Sequence, residues 1–300
     1  MSKKIIAILL ALSFVFAFAA CSGKGGDETT TAPVETTAPI AEGETEAPVA
    51  DVTETATEAA TEAADTTDVS ADTTDVSSEE TTAAANAMPE GTEAIVEYYN
   101  TAINNAKKSS KSIHSNYMVH SVYTNKISGL PSALESLGKS LIEDNMGADE
   151  SKANVTWTSA ADKNAYFPVE GETYASKLTA ADVKSAKIEE KGGKWVITIT
   201  TKDDPRSENY SHSKGHAPKA FNAVLPGLID GYIPGIVKSM FSVGTVATGY
   251  PSSTVVVTVD PATGNVTHAN YKLNWTLYIP LSGTDVVLPF ATENDYNINW

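Results

Sequence analysis

The chain has 300 residues, a formal net charge of −17, 41% hydrophobic residues and one cysteine. A single thiol excludes an intramolecular disulfide and any multi-cysteine metal site, and so acidic a chain has no electrostatic case for holding nucleic acid. The charge is unevenly placed: residues 22 to 88 hold about sixteen acids and one lysine, which leaves about −4 for residues 89 to 300, ordinary for a soluble domain.

At the N-terminus, Lys3 and Lys4 precede an apolar run from Ile5 to Phe18, the layout of a secretory signal. The run is too short for a helix to cross ~30 Å of hydrocarbon, which takes about twenty residues. Small residues then lead into the only cysteine. Phe18-Ala19-Ala20-Cys21-Ser22 resembles the lipobox of bacterial lipoproteins, with Phe18 where that family usually has Leu. The resemblance implies that residues 1 to 20 are a cleaved signal peptide and that Cys21 carries lipid, palmitate included. It also implies a place on the extracytoplasmic face of the bacterial cell membrane. Two acyl chains anchor stably where one binds only marginally, and lipidation uses up the one thiol.

Residues 21 to 88 have no Phe, Trp or Tyr and consist mostly of Thr, Ala, Glu, Asp, Ser and Pro. Such a segment cannot bury enough apolar surface to offset its ordering entropy, so a disordered linker is expected. The repeat Asp65-Thr-Thr-Asp-Val-Ser-Ala and Asp72-Thr-Thr-Asp-Val-Ser-Ser has a seven-residue period, but only Val69 and Val76 are large and apolar, which rules out a coiled coil. At ~3.3 Å per residue the linker reaches roughly 220 Å at most.

Residues 89 to 300 read as one globular α+β domain. Ile95, Tyr99, Ala102, Ile103 and Ala106 share a helical face from about Thr92 to Lys108, with Thr92 as N-cap and Lys107 and Lys108 near the end. A strand is expected around Tyr117 to Thr124. Ser132 and Glu135 form a capping box for a second helix, to residue 146, with Leu134, Leu137 and Leu141 on one face. Asn154 to Thr158 is a short strand candidate.

Two hairpins decide the fold class. Ile188 and its neighbours pass through Lys191-Gly192-Gly193-Lys194 into Trp195 to Thr201. Thr254 to Val259 passes through Asp260-Pro261-Ala262-Thr263-Gly264-Asn265 into a return strand from Val266 to about Ile279. In that strand Ala269, Tyr271, Leu273, Trp275, Leu277 and Ile279 alternate with His268, Asn270, Lys272, Asn274, Thr276 and Tyr278, as an antiparallel sheet covered on one side requires.

Between the hairpins, the segment from Ser211 to Phe241 carries large apolar residues at helical spacing from Phe221 onward and is interrupted by Pro218, Pro226 and Pro234. Leu225-Pro-Gly-Leu-Ile and Ile233-Pro-Gly-Ile-Val repeat one another, so two or three short helices with bends are expected. These helices either close the core over the sheet or form a lid on a hydrophobic cavity.

An exported lipoprotein with an N-terminal amphipathic helix, long antiparallel strands and apolar helices between hairpins resembles the half-barrel carriers of the LolA and LppX type. The likeness covers most of residues 92 to 300 and is one of architecture, without a shared motif. It implies an antiparallel half-barrel sheet, covered on one face by helices, that encloses a hydrophobic ligand. Trp195, Leu225, Ile229, Ile233 and Trp275 are the ligand-binding candidates, chosen as apolar residues on those elements.

No Gly-x-Ser-x-Gly, His-Glu-x-x-His, P-loop or calcium-loop pattern occurs, so the usual anchors for hydrolase, metalloprotease and nucleotide chemistry are absent. His212 and His216, with Asp203, Asp204 and Glu208 upstream, have a spacing that could serve a metal on a helix, but Pro205, Gly215 and Pro218 argue for a loop. No catalytic residue, metal ligand or cofactor is expected. The expected function is a lipid-anchored envelope protein binding or carrying a hydrophobic molecule; the alternative is a surface module that binds cell-wall glycan or protein through exposed Tyr and Trp.

Overall fold

The computed structural model describes residues 87–130, 135–144, 146–230 and 242–300. The signal segment, Cys21, the acidic linker, Ser132 and Ile233 lie outside them. The elements in chain order are α1 (Thr92–Ser109), β1 (Ser112–Val122), α2 (Glu135–Asp144), β2 (Gly147–Ala148), β3 (Val155–Trp157), α3 (Ala160–Tyr166), β4 (Val183–Lys191) and β5 (Lys194–Thr201). They continue with β6 (Asp204–Ser207), α4 (Pro226–Asp230), β7 (Ala247–Tyr250), β8 (Thr254–Asp260), β9 (Asn265–Leu281) and β10 (Thr284–Asn299). All the strands join one antiparallel sheet in the order β2-β1-β10-β9-β8-β5-β4; β3 also pairs with β1, and β7 pairs with β6 and β9. The class is therefore α+β with an antiparallel sheet. No described helix is long and apolar enough to cross a membrane.

The hairpin signals give the expected strands. Gly192 and Gly193 both have positive φ, 59° and 73°, as a two-residue turn between twisted strands demands, and Lys191 pairs with Lys194. In β9 Ala269, Tyr271, Leu273, Trp275, Leu277 and Ile279 are all buried, while Lys272 is exposed. Thr276, expected on the wet face, is buried too, near the stretch where β7 pairs with β9.

Several expectations are corrected. Thr92 is not the N-cap of α1: that position is Gly91, with φ 81° and no side-chain cap. The first strand begins five residues before Tyr117, at Ser112. Among the described residues, the stretch from Ser211 holds a 3-10 turn at Ala217–Lys219 and the short α4, each with a proline in its first two positions, and Ile233-Pro-Gly-Ile-Val lies outside them. α3, β2, β6, β7 and β10 were not expected at all.

β10 is central, between β9 and β1, yet contains Pro289. The Pro289 carbonyl accepts from the Tyr123 N–H at 3.1 Å. N–H and C=O of one strand residue point to the same side, so the missing donor of Pro289 faces Tyr123, just past the end of β1 at Val122, and the Tyr123 carbonyl accepts from the Lys126 N–H of the 3-10 turn instead. No ladder bond is lost.

The core centres on aromatic residues. The Tyr271 ring meets Phe167, Phe221 and Tyr296 edge-on, with centroids 6.3, 5.6 and 6.1 Å away. From α1, the Tyr99 hydroxyl lies 3.3 Å from that of Tyr271, which fixes the helix against β9.

Candidate functional site: a cleft between β3 and α3

α3 begins at Ser159, whose hydroxyl accepts from the Asp162 N–H at 3.0 Å and donates to the Asp162 carboxylate at 2.7 Å. Its residues Asp162 and Tyr166, four apart, lie on one helical face. That face and β3 border an open cleft of about 420 Å³ lined by Ser151, Lys152, Val155, Thr156, Trp157, Asp162 and Tyr166. Trp157 is buried and Tyr166 is 41% exposed, and their rings stack with centroids 5.5 Å apart and planes 28° apart. Trp157 also meets the buried Tyr296, with ring centroids 6.0 Å apart, so the wall is rooted in the core.

The loop after α3 is pinned from several sides. The Lys107 ammonium is buried and donates to the carbonyls of Phe167, Pro168, Val169 and Tyr174 at 3.0, 3.3, 2.8 and 3.2 Å. Burial lowers its pKa to about 8, against the pull of the Glu170 and Glu172 carboxylates. Lys107 stands near the end of α1, as expected, and fills the next position of the buried stripe. The Asn222 amide donates to the Tyr166 carbonyl and to Glu170, and Glu170 pairs with Lys152 at 2.6 Å. The Lys152 ammonium stands 5.9 Å from the centre of the Tyr166 ring. Lys163, also buried, donates to the Ser110 carbonyl at 2.7 Å and ties α3 to the end of α1.

The sequence candidates fall elsewhere. Trp195 is buried on β5, tilted against Tyr98 at 5.7 Å. Trp275 is buried on β9, stacked on Phe290 at 4.4 Å, with its indole N–H on the Thr292 hydroxyl. Trp195 stands opposite Val259, which pairs with Val266, and nine residues of β9 separate Val266 from Trp275. At ~3.3 Å per residue that is roughly 30 Å, so the two indoles do not share a small pocket. Ile229 is buried and Leu225 half-buried against the core, and Ile233 is outside the described residues. Trp275 does border a second cleft, of about 290 Å³, with Tyr123, Lys126, Pro251, Pro289 and Phe290.

His216 is engaged by carboxylates. The His216 imidazole Nδ1 lies 2.8 Å from Asp182, and its Nε2 is 4.0 Å from Asp204. Burial alone would raise the Asp182 carboxyl, but bonds from Lys219, His216 and Thr179 outweigh it and hold the group at about 2. Asp204 accepts the backbone N–H groups of His216 and Ala217, which caps the 3-10 turn. Among the described residues no three His, Cys, Asp or Glu side chains are grouped to hold a metal; this cluster organises a loop.

The β3–α3 cleft was missed because its aromatic residues are nine apart in a stretch read only for a strand. The signal was present: Ser159-x-x-Asp162 is a helix start two residues after Trp157. No family model, no curated protein and no solved structure matches this chain.

Proposed function

We propose that the chain is a lipid-anchored interaction module, held through Cys21 on the extracytoplasmic face of a bacterial membrane, that binds a cell-wall or envelope polymer in the β3–α3 cleft. The observation that carries the binding site is the exposed Tyr166 ring stacked on the buried Trp157, beside polar side chains of both charges. An aromatic face fixed from behind offers contact area at little entropic cost, and the rim supplies hydrogen bonds. The anchor is supported by Lys3, Lys4, the apolar run and the small residues before Cys21. The test is co-sedimentation of the purified protein with isolated envelope fragments. Tyr166→Ala should lose binding and keep its melting temperature; equal binding by that variant rejects the cleft. Cys21→Ala should leave the protein unprocessed and out of the detergent phase, and normal processing would reject the anchor.

A second function, carriage of an apolar molecule, draws support from Leu228, 55% exposed on α4 beside buried Ile229. That reading takes the sheet as a half-barrel with helices over its apolar face and Leu225 and Ile229 in the lining; Trp195 and Trp275 stand too far apart to share it. A fluorescent fatty acid that fails to bind the wild type removes it.

A further inference from the structure

Val155 and Trp157 point to one face of the sheet and Thr156 to the other, because neighbouring strand residues alternate. All three nevertheless line the same cleft. A cleft touched by odd and even residues of one strand runs along the strand's edge. On its other side β3 pairs with Ile113, His114 and Ser115 of β1. Among the described residues no main-chain bond reaches the cleft side of β3. In an antiparallel pair the N–H and C=O of successive residues point to alternate edges. Whichever residues of β3 face β1, at least one N–H and one C=O are therefore directed to the cleft.

The remaining lining fits a backbone better than a charged polymer. The lining holds one ammonium, Lys152, already paired with Glu170, and one carboxylate, Asp162. The cleft therefore carries no excess positive charge to hold a polyanion and at most one negative charge, too little to select a basic tract, which suits peptide dipoles. The rest of the lining comes from α3, with the Tyr166 ring as an exposed surface for one side chain.

We propose that the cleft takes an extended peptide segment of another envelope protein as an added strand on β3, with a side chain of that segment laid on Tyr166. This rests on the cleft being the binding site and names its ligand class. Main-chain bonds along the edge give affinity, and the aromatic wall and the Lys152 and Asp162 rim give sequence preference. The three residues of β3 set the footprint.

The test selects linear heptapeptides displayed on phage against the full-length protein in detergent and measures the enriched sequence by calorimetry. Single backbone N-methyl groups are then placed along that peptide. Strand addition predicts a period of two: methylation at alternate positions lowers affinity by about tenfold or more, as loss of ~1.4 kcal/mol would, and methylation between them has little effect. Tyr166→Ala should weaken the peptide by a similar factor. A response to methylation without that period, or unchanged affinity in Tyr166→Ala, overturns the proposal. Peptidoglycan oligosaccharides are titrated in parallel. Their binding at the cleft with no peptide enriched overturns the peptide assignment and leaves the cleft as the binding site, whereas binding of neither removes both.

Discussion

The Lys107 ammonium on α1 lies 2.8 Å from the carbonyl oxygen of Val169, in the loop that follows Tyr166. Its pKa falls from 10.5 in the unfolded reference to about 8, so between these values the unfolded chain binds the extra proton and stability rises with pH. Buried Tyr99, Tyr250, Tyr271 and Tyr296 are shifted the other way by burial, and above pH 10 the unfolded chain loses their protons first, so stability falls. Urea midpoints taken from pH 7 to 11 should rise and then fall. Lys107→Met should flatten the rise and keep the fall; an unaltered rise in that variant would assign it to another group.

Asp182 gives the acid limb. Its carboxyl is held at about 2 against 3.8 in the unfolded reference, so its contribution is complete above about pH 4 and disappears as the pH drops toward 2. Asp182→Asn should be less stable at neutral pH and lose less between pH 4 and 2. Thermal melts across that range check this, and parallel curves for the two proteins would contradict it.

Gly129 and Gly171 have nearly the same backbone, φ 79° and 82°, but different surroundings. A Cβ on Gly129 would stand 1.8 Å from the Asp285 carbonyl oxygen, whereas one on Gly171 would meet nothing within 4 Å. Gly171→Ala should cost ~1 kcal/mol from its positive φ alone, and Gly129→Ala well over that because backbone must move. Denaturant melts of both variants rank them, and equal costs would show that the 128–130 segment yields freely.

On β9 the two faces should respond differently. Leu273→Asp places an unpaired charge in the core and should abolish folding, while Lys272→Ser should stay within about 0.5 kcal/mol. Asn274 is not the mild site that alternation alone implies. Its amide donates to the Ser252 carbonyl at 2.7 Å, and Asn274→Asp would set a carboxylate against that oxygen, costing roughly 1 to 3 kcal/mol. Circular dichroism melts separate the three.

Periodicity located β9, β8 and the Gly192-Gly193 hairpin because there local chemistry and burial agree. It missed β10, whose Asn and Asp residues and Pro289 depress strand propensity; only the neighbouring turn at Tyr123 makes that proline harmless. Lys107 lay in the apolar stripe of α1 with Tyr99 and Ile103, but its charge pointed to solvent, since the four carbonyls that receive it lie about sixty residues on. The cleft was hidden for the same reason: Trp157 and Tyr166 were readable as a strand end and a helix end, but their stacking depends on how the loop is tied to α1 and Asn222.

The register of β1 also constrains how the molecule can assemble. Its Ser112 lies beside Asn299, a sequence separation of 187 residues, and its only long partner is β10. Until β10 has been synthesised, β1 presents an unsatisfied edge to whatever strand approaches it. Closing that pair late, after the intervening strands have collapsed, gives the domain a high contact order, and folding on the slow side for its size follows. During that interval the chain is open to mispairing and aggregation, so a holdase that shields β1 should raise the yield of folded protein more than one acting on the self-contained β4–β5 hairpin.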